Sequence, residues 1–210
     1  MLIKVCGLNN QENIMALCEL NIQFIGFIFY KKSPRYFNNA LNFDEARIIP
    51  KKIKKVGVFV NEPIYNIINS IARYDLDFVQ VHGEENYSYC KELSAYTKII
   101  KTISVKDKNS FSNAHQFSDV CDYFLFDTAT SIYGGSGNAF NWDLLNEITI
   151  HKPFFMSGGI SLDNFNETKK ISNPNLIGID VNSKFEITPG LKDLKKINLL
   201  IKQNYANTLN

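Results

Sequence analysis

Along this 210-residue chain, short apolar runs repeatedly end in residue types that can move protons or hold anions. The first run closes in Cys6-Gly7, the second leads into Ser33-Pro34-Arg35, and the fourth closes in His82-Gly83. The sixth ends in Asp127-Thr128 and continues to Tyr133-Gly134-Gly135-Ser136-Gly137; the seventh ends in Ser157-Gly158-Gly159, and the eighth in Asp180 with Asn182-Ser183. Each signal is weak by itself, because a cysteine in an apolar run is commonly a packed core thiol and an aspartate at a strand end commonly caps a helix. Their shared placement at the ends of successive runs is the stronger signal. The glycines after the seventh run and the Asn182-Ser183 pair suit backbone N–H binding of a phosphate, with tight turns as the alternative reading.

Something must bring these endings to one place. Ile3–Val5, Phe24–Phe29, Lys55–Phe59, Phe78–Val81, Lys98–Ile103, Tyr123–Phe126, Pro153–Met156 and Leu176–Val181 are rich in Ile, Val, Phe and Tyr without strict polar alternation. That is the pattern of strands buried on both faces of a parallel sheet. Between them, helical spacing recurs, as in Ile14, Leu17, Cys18 and Leu20, in Ile64, Ile67, Ile68 and Ile71, and in Leu194, Ile197, Leu200 and Ile201. Shorter helices are expected over Asp44–Ile49, Glu84–Leu93, Ser110–Phe117, Trp142–Ile148 and Leu162–Ile171. Eight strand–helix units predict an α/β fold, a single (βα)8 TIM barrel over 1–210, with Gln203–Asn210 as a frayed tail. In such a barrel the active site lies at the C-terminal ends of the strands, where every residue singled out above falls. A doubly wound open sheet is the rival, but it would normally show a glycine-rich first turn.

Composition narrows the function. With 23 Lys and Arg against 21 Asp and Glu, the net charge of +2 gives no reason to expect nucleic acid or an anionic membrane as partner. The four cysteines, Cys6, Cys18, Cys90 and Cys121, lack Cys-x-x-Cys spacing, and the three histidines are scattered, so neither a disulfide framework nor a zinc site is framed. The opening apolar run lacks a basic leader and is far shorter than a membrane span, so a cytoplasmic protein is expected.

Several strings in order resemble the phosphoribosylanthranilate isomerase family: KVCGL at 4–8, GFIFYKKSPRY at 26–36, VGVFVN at 56–61, VQVHG at 79–83, FLFDT at 124–128, YGGSGNAFNW at 133–142, SGGI at 157–160, then IDVNS and PGLKD. The resemblance runs nearly end to end. It implies an Amadori rearrangement of a small-molecule phosphoribosyl substrate in tryptophan biosynthesis, with Cys6 as general base, Asp127 as general acid and Arg35 as the contact for the anthranilate carboxylate. It further implies a substrate site lined by His82, Gly134, Gly135, Gly158, Gly159, Asp180, Asn182 and Ser183, no cofactor, no metal, and a monomer or homodimer. One acid and one base suffice for that chemistry. A thiol near about 8.5 needs modest stabilisation to act as base, whereas a carboxyl near about 3.9 must be raised to act as acid.

The chain departs from the family pattern at Lys184, where glycine is usual; its side chain either adds a charge to the phosphate or points to solvent while backbone N–H groups bind, and the second is the expectation. Two other phosphosugar barrels explain less. A metal-dependent epimerase would want paired histidines and carboxylates at strand ends, and an indole-forming synthase would want lysines in the barrel, and neither set can be placed in the sequence. A non-enzymatic barrel used for binding would be favoured by loss of Cys6, Arg35 or Asp127, and all three are present.

Overall fold

The computed structural model describes residues 1–129 and 139–206. Eight parallel strands close into a barrel in sequence order: β1 (Leu2–Cys6), β2 (Phe24–Ile28), β3 (Lys54–Phe59), β4 (Phe78–Val81), β5 (Lys98–Val105), β6 (Tyr123–Thr128), β7 (Phe154–Met156) and β8 (Leu176–Val181). Closure comes from β8 pairing with β1, where Lys4 stands opposite Asp180. Every run expected to be a strand is one. The helices packed outside are α1 (Gln11–Cys18), α2 (Phe43–Ile48), α3 (Ile64–Tyr74), α4 (Tyr87–Leu93), α5 (Phe165–Thr168) and α6 (Leu194–Tyr205).

Alternation along the strands separates two cores. Outward residues such as Ile3, Val5, Val79, Val81, Phe124 and Phe126 pack against the helices. Inward residues Phe24, Val56, Phe78, Ile100, Leu125 and Phe155 fill the lower barrel, with the Phe24 ring 5.2 Å from Phe155 and 5.7 Å from Phe78. The barrel is therefore plugged below by hydrocarbon and turns polar only toward the ends of its strands, which confines any chemistry to the upper mouth.

Four expectations need correction. Ser110–Phe117 is not one α-helix but two 3₁₀ turns, Lys108–Phe111 and His115–Phe117, and Trp142–Asn146 is likewise a 3₁₀ turn. The buried residues Phe111, Ala114 and Phe117 recur at intervals of three, the period at which 3₁₀ side chains line up. The stretch read as a helix over Leu162–Ile171 keeps only the short α5. Finally, α6 continues through Gln203 to Tyr205, into the expected tail, because Asn204 is buried and its side-chain amide donates to the Met1 carbonyl at 2.7 Å. That bond ties the last helix to Met1, just before β1.

One feature was absent from the sequence reading altogether. After β8 and a 3₁₀ turn at Ser183–Phe185, the chain makes a small antiparallel hairpin, β9 (Glu186–Thr188) and β10 (Leu191–Lys192). Among the described residues no helix is long and apolar enough to cross a membrane.

Candidate active site

Cys6 is the last residue of β1, and two-residue periodicity puts it on the same inward face as Lys4. Its neighbour in β2 is Gly26, where a Cβ would come within 2.6 Å of the Cys6 sulfur, so the missing side chain makes room for the thiol inside the barrel. Ile28 and Val58 pack beside it, and the residue is buried. Burial pushes the Cys6 thiol up; Lys4 pulls it down, Asp180 opposes, and Lys192 adds a second downward pull.

Lys4 is the charge at the centre of this arrangement. Its side chain is 0% exposed, and Nζ lies 3.0 Å from Asp180 Oδ1, close enough for an ion pair although not aligned as a directed hydrogen bond. Burial works against the ammonium, but Asp180 and the nearby Cys6 outweigh it and hold Lys4 above its ordinary value. Asp180 is itself raised by burial, with Lys4 pulling the other way. The sequence reading placed no lysine in the barrel, and Lys4 corrects it.

Asp127, near the end of β6, lies three steps around the closed ring from β1 by way of β7 and β8. Its Oδ1 accepts from the Thr128 N–H at 2.9 Å, and Oδ2 stands 3.7 Å from His82 Nε2. Burial raises the Asp127 carboxyl, against the pull of Thr128, Ser157 and Lys4, which is the direction a proton donor needs. His82 is pushed down to about 4, chiefly by burial and then by Lys4, so the imidazole is neutral near pH 7. The Gln80 amide nitrogen lies 3.2 Å from His82 Nδ1. An amide N–H donating there makes Nδ1 the acceptor and leaves the ring proton on Nε2, facing Asp127. Cys6, His82, Asp127 and Asp180 thus all feel the same buried ammonium.

A second cluster adjoins the first. Gly7 has φ +77°, in the left-handed region, and a Cβ there would meet Asn182 Oδ1 at 2.7 Å and Arg35 Cδ at 2.8 Å. Glycine therefore permits β1, Arg35 and the segment after β8 to converge. The Arg35 guanidinium is held by Glu186: Nε lies 2.9 and 3.0 Å from the two carboxylate oxygens, and Nη2 lies 2.7 Å from Oε2. Lys192, 0% exposed, donates to Glu186 Oε1 at 2.7 Å and to Asn182 Oδ1 at 2.7 Å. Burial works to raise the Glu186 carboxyl, but Arg35 and Lys192 hold it below its ordinary value.

After β7, the ring neighbour of β8, Gly158 and Gly159 have φ +86° and +69°, and a Cβ on Gly158 would collide with Thr128. The loop is pinned by Asn164, whose amide donates to the Gly159 carbonyl at 2.9 Å. Ser183 opens the 3₁₀ turn after β8, and Lys184 beside it is exposed, as expected for a side chain directed to solvent. Gly134 and Gly135 lie outside the described residues. Glu186, Lys192 and Lys4 are the residues the sequence reading missed. Lys4 had a usable signal: a lysine two positions before Cys6 within a strand must share its inward face.

The comparisons agree with this geometry. A sequence model of the family described as N-(5'-phosphoribosyl)anthranilate (PRA) isomerase matches residues 3–203. The N-(5'-phosphoribosyl)anthranilate isomerase of Parabacteroides distasonis is 39% identical over 209 residues, covering 97% of this chain and 93% of that protein. The enzyme of the same name from Phocaeicola vulgatus is 37% identical over 204 residues, covering 97% of each. The crystal structure of phosphoribosyl anthranilate isomerase from Thermotoga maritima is 32% identical and superposes with a TM-score of 0.85, covering 98% of this chain and all of that one. A further solved isomerase, in complex with reduced 1-(o-carboxyphenylamino)-1-deoxyribulose 5-phosphate, is 28% identical with a TM-score of 0.80 over 98% of this chain and 100% of its own. The strand order, the convergence of the strand ends and these relatives together assign the chain to the N-(5'-phosphoribosyl)anthranilate isomerase family.

Proposed function

We propose that the mouth of this barrel isomerises N-(5'-phosphoribosyl)anthranilate, the reaction for which its family is named, with Asp127 as general acid and Cys6 as general base. The observation that carries this reading is the buried cluster around Lys4 at the mouth, in which a carboxyl and a thiol, both raised by burial, share one ammonium. Protonation of the ribose ring oxygen by neutral Asp127 breaks the C1′–O bond and leaves a protonated imine. Removal of the C2′ proton by the Cys6 thiolate gives an enolamine, which tautomerises to the 1-amino-2-ketose. The two proton transfers have opposite needs. Burial raises the Asp127 carboxyl toward the protonated form that can donate, and His82 Nε2, 3.7 Å from Asp127 Oδ2, faces the carboxylate left behind. Burial disfavours the Cys6 thiolate and outweighs the pull of Lys4, so the imine cation formed on ring opening must add the rest of the stabilisation.

Arg35 is read as the contact for the anthranilate carboxylate, and Gly158, Gly159, Asn182 and Ser183 as the phosphate end, with His82 and Asp180 lining the ribose between them. Positive-φ glycines at the end of β7 and the turn after β8 supply the backbone approach such a site requires. The chain is further read as a cytoplasmic enzyme, monomeric or homodimeric. The test is direct: purified protein mixed with freshly made phosphoribosylanthranilate should quench its fluorescence faster than spontaneous decay and yield 1-(2-carboxyphenylamino)-1-deoxyribulose 5-phosphate. Decay at the spontaneous rate with anthranilate as product would overturn the assignment.

A further inference from the structure

We propose that Glu186 is a positioning residue, which aims the Arg35 guanidinium at the substrate's carboxylate and couples that contact through Lys192 to the segment at the phosphate end. This rests on the reading of Arg35 given above. Arginine reaches its target on a long, rotatable stem, and its value for a planar anion depends on how the fork is oriented before binding. Glu186 engages the Nε and Nη2 edge of the guanidinium, which fixes both the plane of the group and its direction.

Glu186 is in turn held rigidly. Its Oε1 accepts from Lys192 Nζ at 2.7 Å and from the Gly190 N–H at 3.0 Å, and its side chain is 5% exposed. The β9–β10 hairpin supplies Glu186 and both of these partners: Glu186 opens β9, Gly190 makes the turn with φ +90°, and Lys192 ends β10. Lys192 is locked by a reciprocal pair of bonds with Asn13 of α1, at 2.8 and 3.0 Å. The hairpin is thus a strut from the outer helical layer to the mouth of the barrel.

Charge supports a ligand-directed role over a purely structural one. Among the described ion pairs, Glu186 takes both Arg35 and Lys192, two cations on one carboxylate. A structural ion pair has no need of the second cation, whereas an anionic ligand arriving beside Arg35 is favoured by it. Lys192 also donates to Asn182 Oδ1 at 2.7 Å, so the element that fixes Glu186 fixes the residue preceding Ser183.

The test uses two substrates, phosphoribosylanthranilate and the carboxylate-free adduct of aniline with ribose 5-phosphate, and the variants Glu186→Gln, Glu186→Asp, Arg35→Met and Arg35→Met/Glu186→Gln. Glu186→Gln should raise KM for the anthranilate substrate roughly tenfold with a smaller change in kcat, the scale of one misdirected hydrogen bond to a charged group. That penalty should shrink to less than about twofold on the aniline substrate and in the Arg35→Met background, as expected of residues that act as one unit. Glu186→Asp, which keeps the charge and shortens the reach, should give an intermediate rise on the anthranilate substrate, and it carries the test should Glu186→Gln fold poorly. Equal penalties on both substrates, or a penalty undiminished by Arg35→Met, would show that Glu186 does not act through Arg35. If Arg35→Met itself weakens both substrates equally, the fault lies with the reading of Arg35 as the carboxylate contact, a result distinct from failure of the Glu186 proposal.

Discussion

Lys4 Nζ stands 3.0 Å from Asp180 Oδ1 inside the barrel, with the two side chains 0% and 7% exposed. Desolvation makes such a pair a poor source of stability, since burial of both charges offsets most of their attraction. Its consequence is electrostatic, because Cys6, Asp127 and His82 all feel the ammonium.

The two members of the pair should therefore shift activity in opposite directions. Lys4→Met removes a cation that lowers the Cys6 thiol, so the limb of the pH profile of kcat/KM that reports the base should move toward higher pH. Activity at pH 7 should fall by up to about tenfold for each pH unit of movement. Asp180→Asn removes an anion that raises the same thiol, so the limb should move toward lower pH. General damage to the barrel cannot produce opposite signs, and shifts in the same direction would contradict the scheme.

His82 makes a prediction about stability. The imidazole has a pKa of about 4 when folded and 6.5 as an unperturbed group. Between those values the unfolded chain binds a proton that the native state does not, so this residue makes stability fall as pH drops from 6.5 toward 4. Relative to His82→Gln, the wild type should lose on the order of 2–3 kcal/mol across that window in urea titrations. Parallel losses in the two proteins would show that His82 is not held neutral by burial.

The strands were legible because each is buried on both faces and so reads as a mainly apolar run; Phe78–Val81 and Leu176–Val181, broken only by Gln80 and Asp180, show no shift of boundary. The outer layer was less so. Phe111, Ala114 and Phe117 satisfy the burial pattern of a helix yet suit a 3₁₀ repeat equally, and the sequence does not choose between them. Cys6, Arg35 and Asp127 were visible from their places at strand ends and from the family strings around them. Glu186 and Lys192 were not, because their meaning depends on a partner 151 residues away and on a two-stranded hairpin too short to leave a periodic signal.

Arg35 should separate binding from turnover. Its guanidinium is permanently charged and cannot exchange protons near neutral pH, so Arg35→Met should chiefly raise KM. The variant also leaves Glu186 with Lys192 as its remaining cationic partner among the contacts described above, and a modest loss of stability of about 1–3 kcal/mol should accompany the kinetic effect. A large fall in kcat at saturating substrate with KM unchanged would contradict a binding role.

The central claim is that Cys6 and Asp127 transfer the protons, and the most direct measurement is kcat for folded Cys6→Ala and Asp127→Asn on freshly made phosphoribosylanthranilate at saturation. General acid and base groups act mainly in the transition state, so each variant should lose on the order of 10²–10⁴ in kcat with a smaller change in KM. Near-normal kcat in either variant would remove that residue from the mechanism.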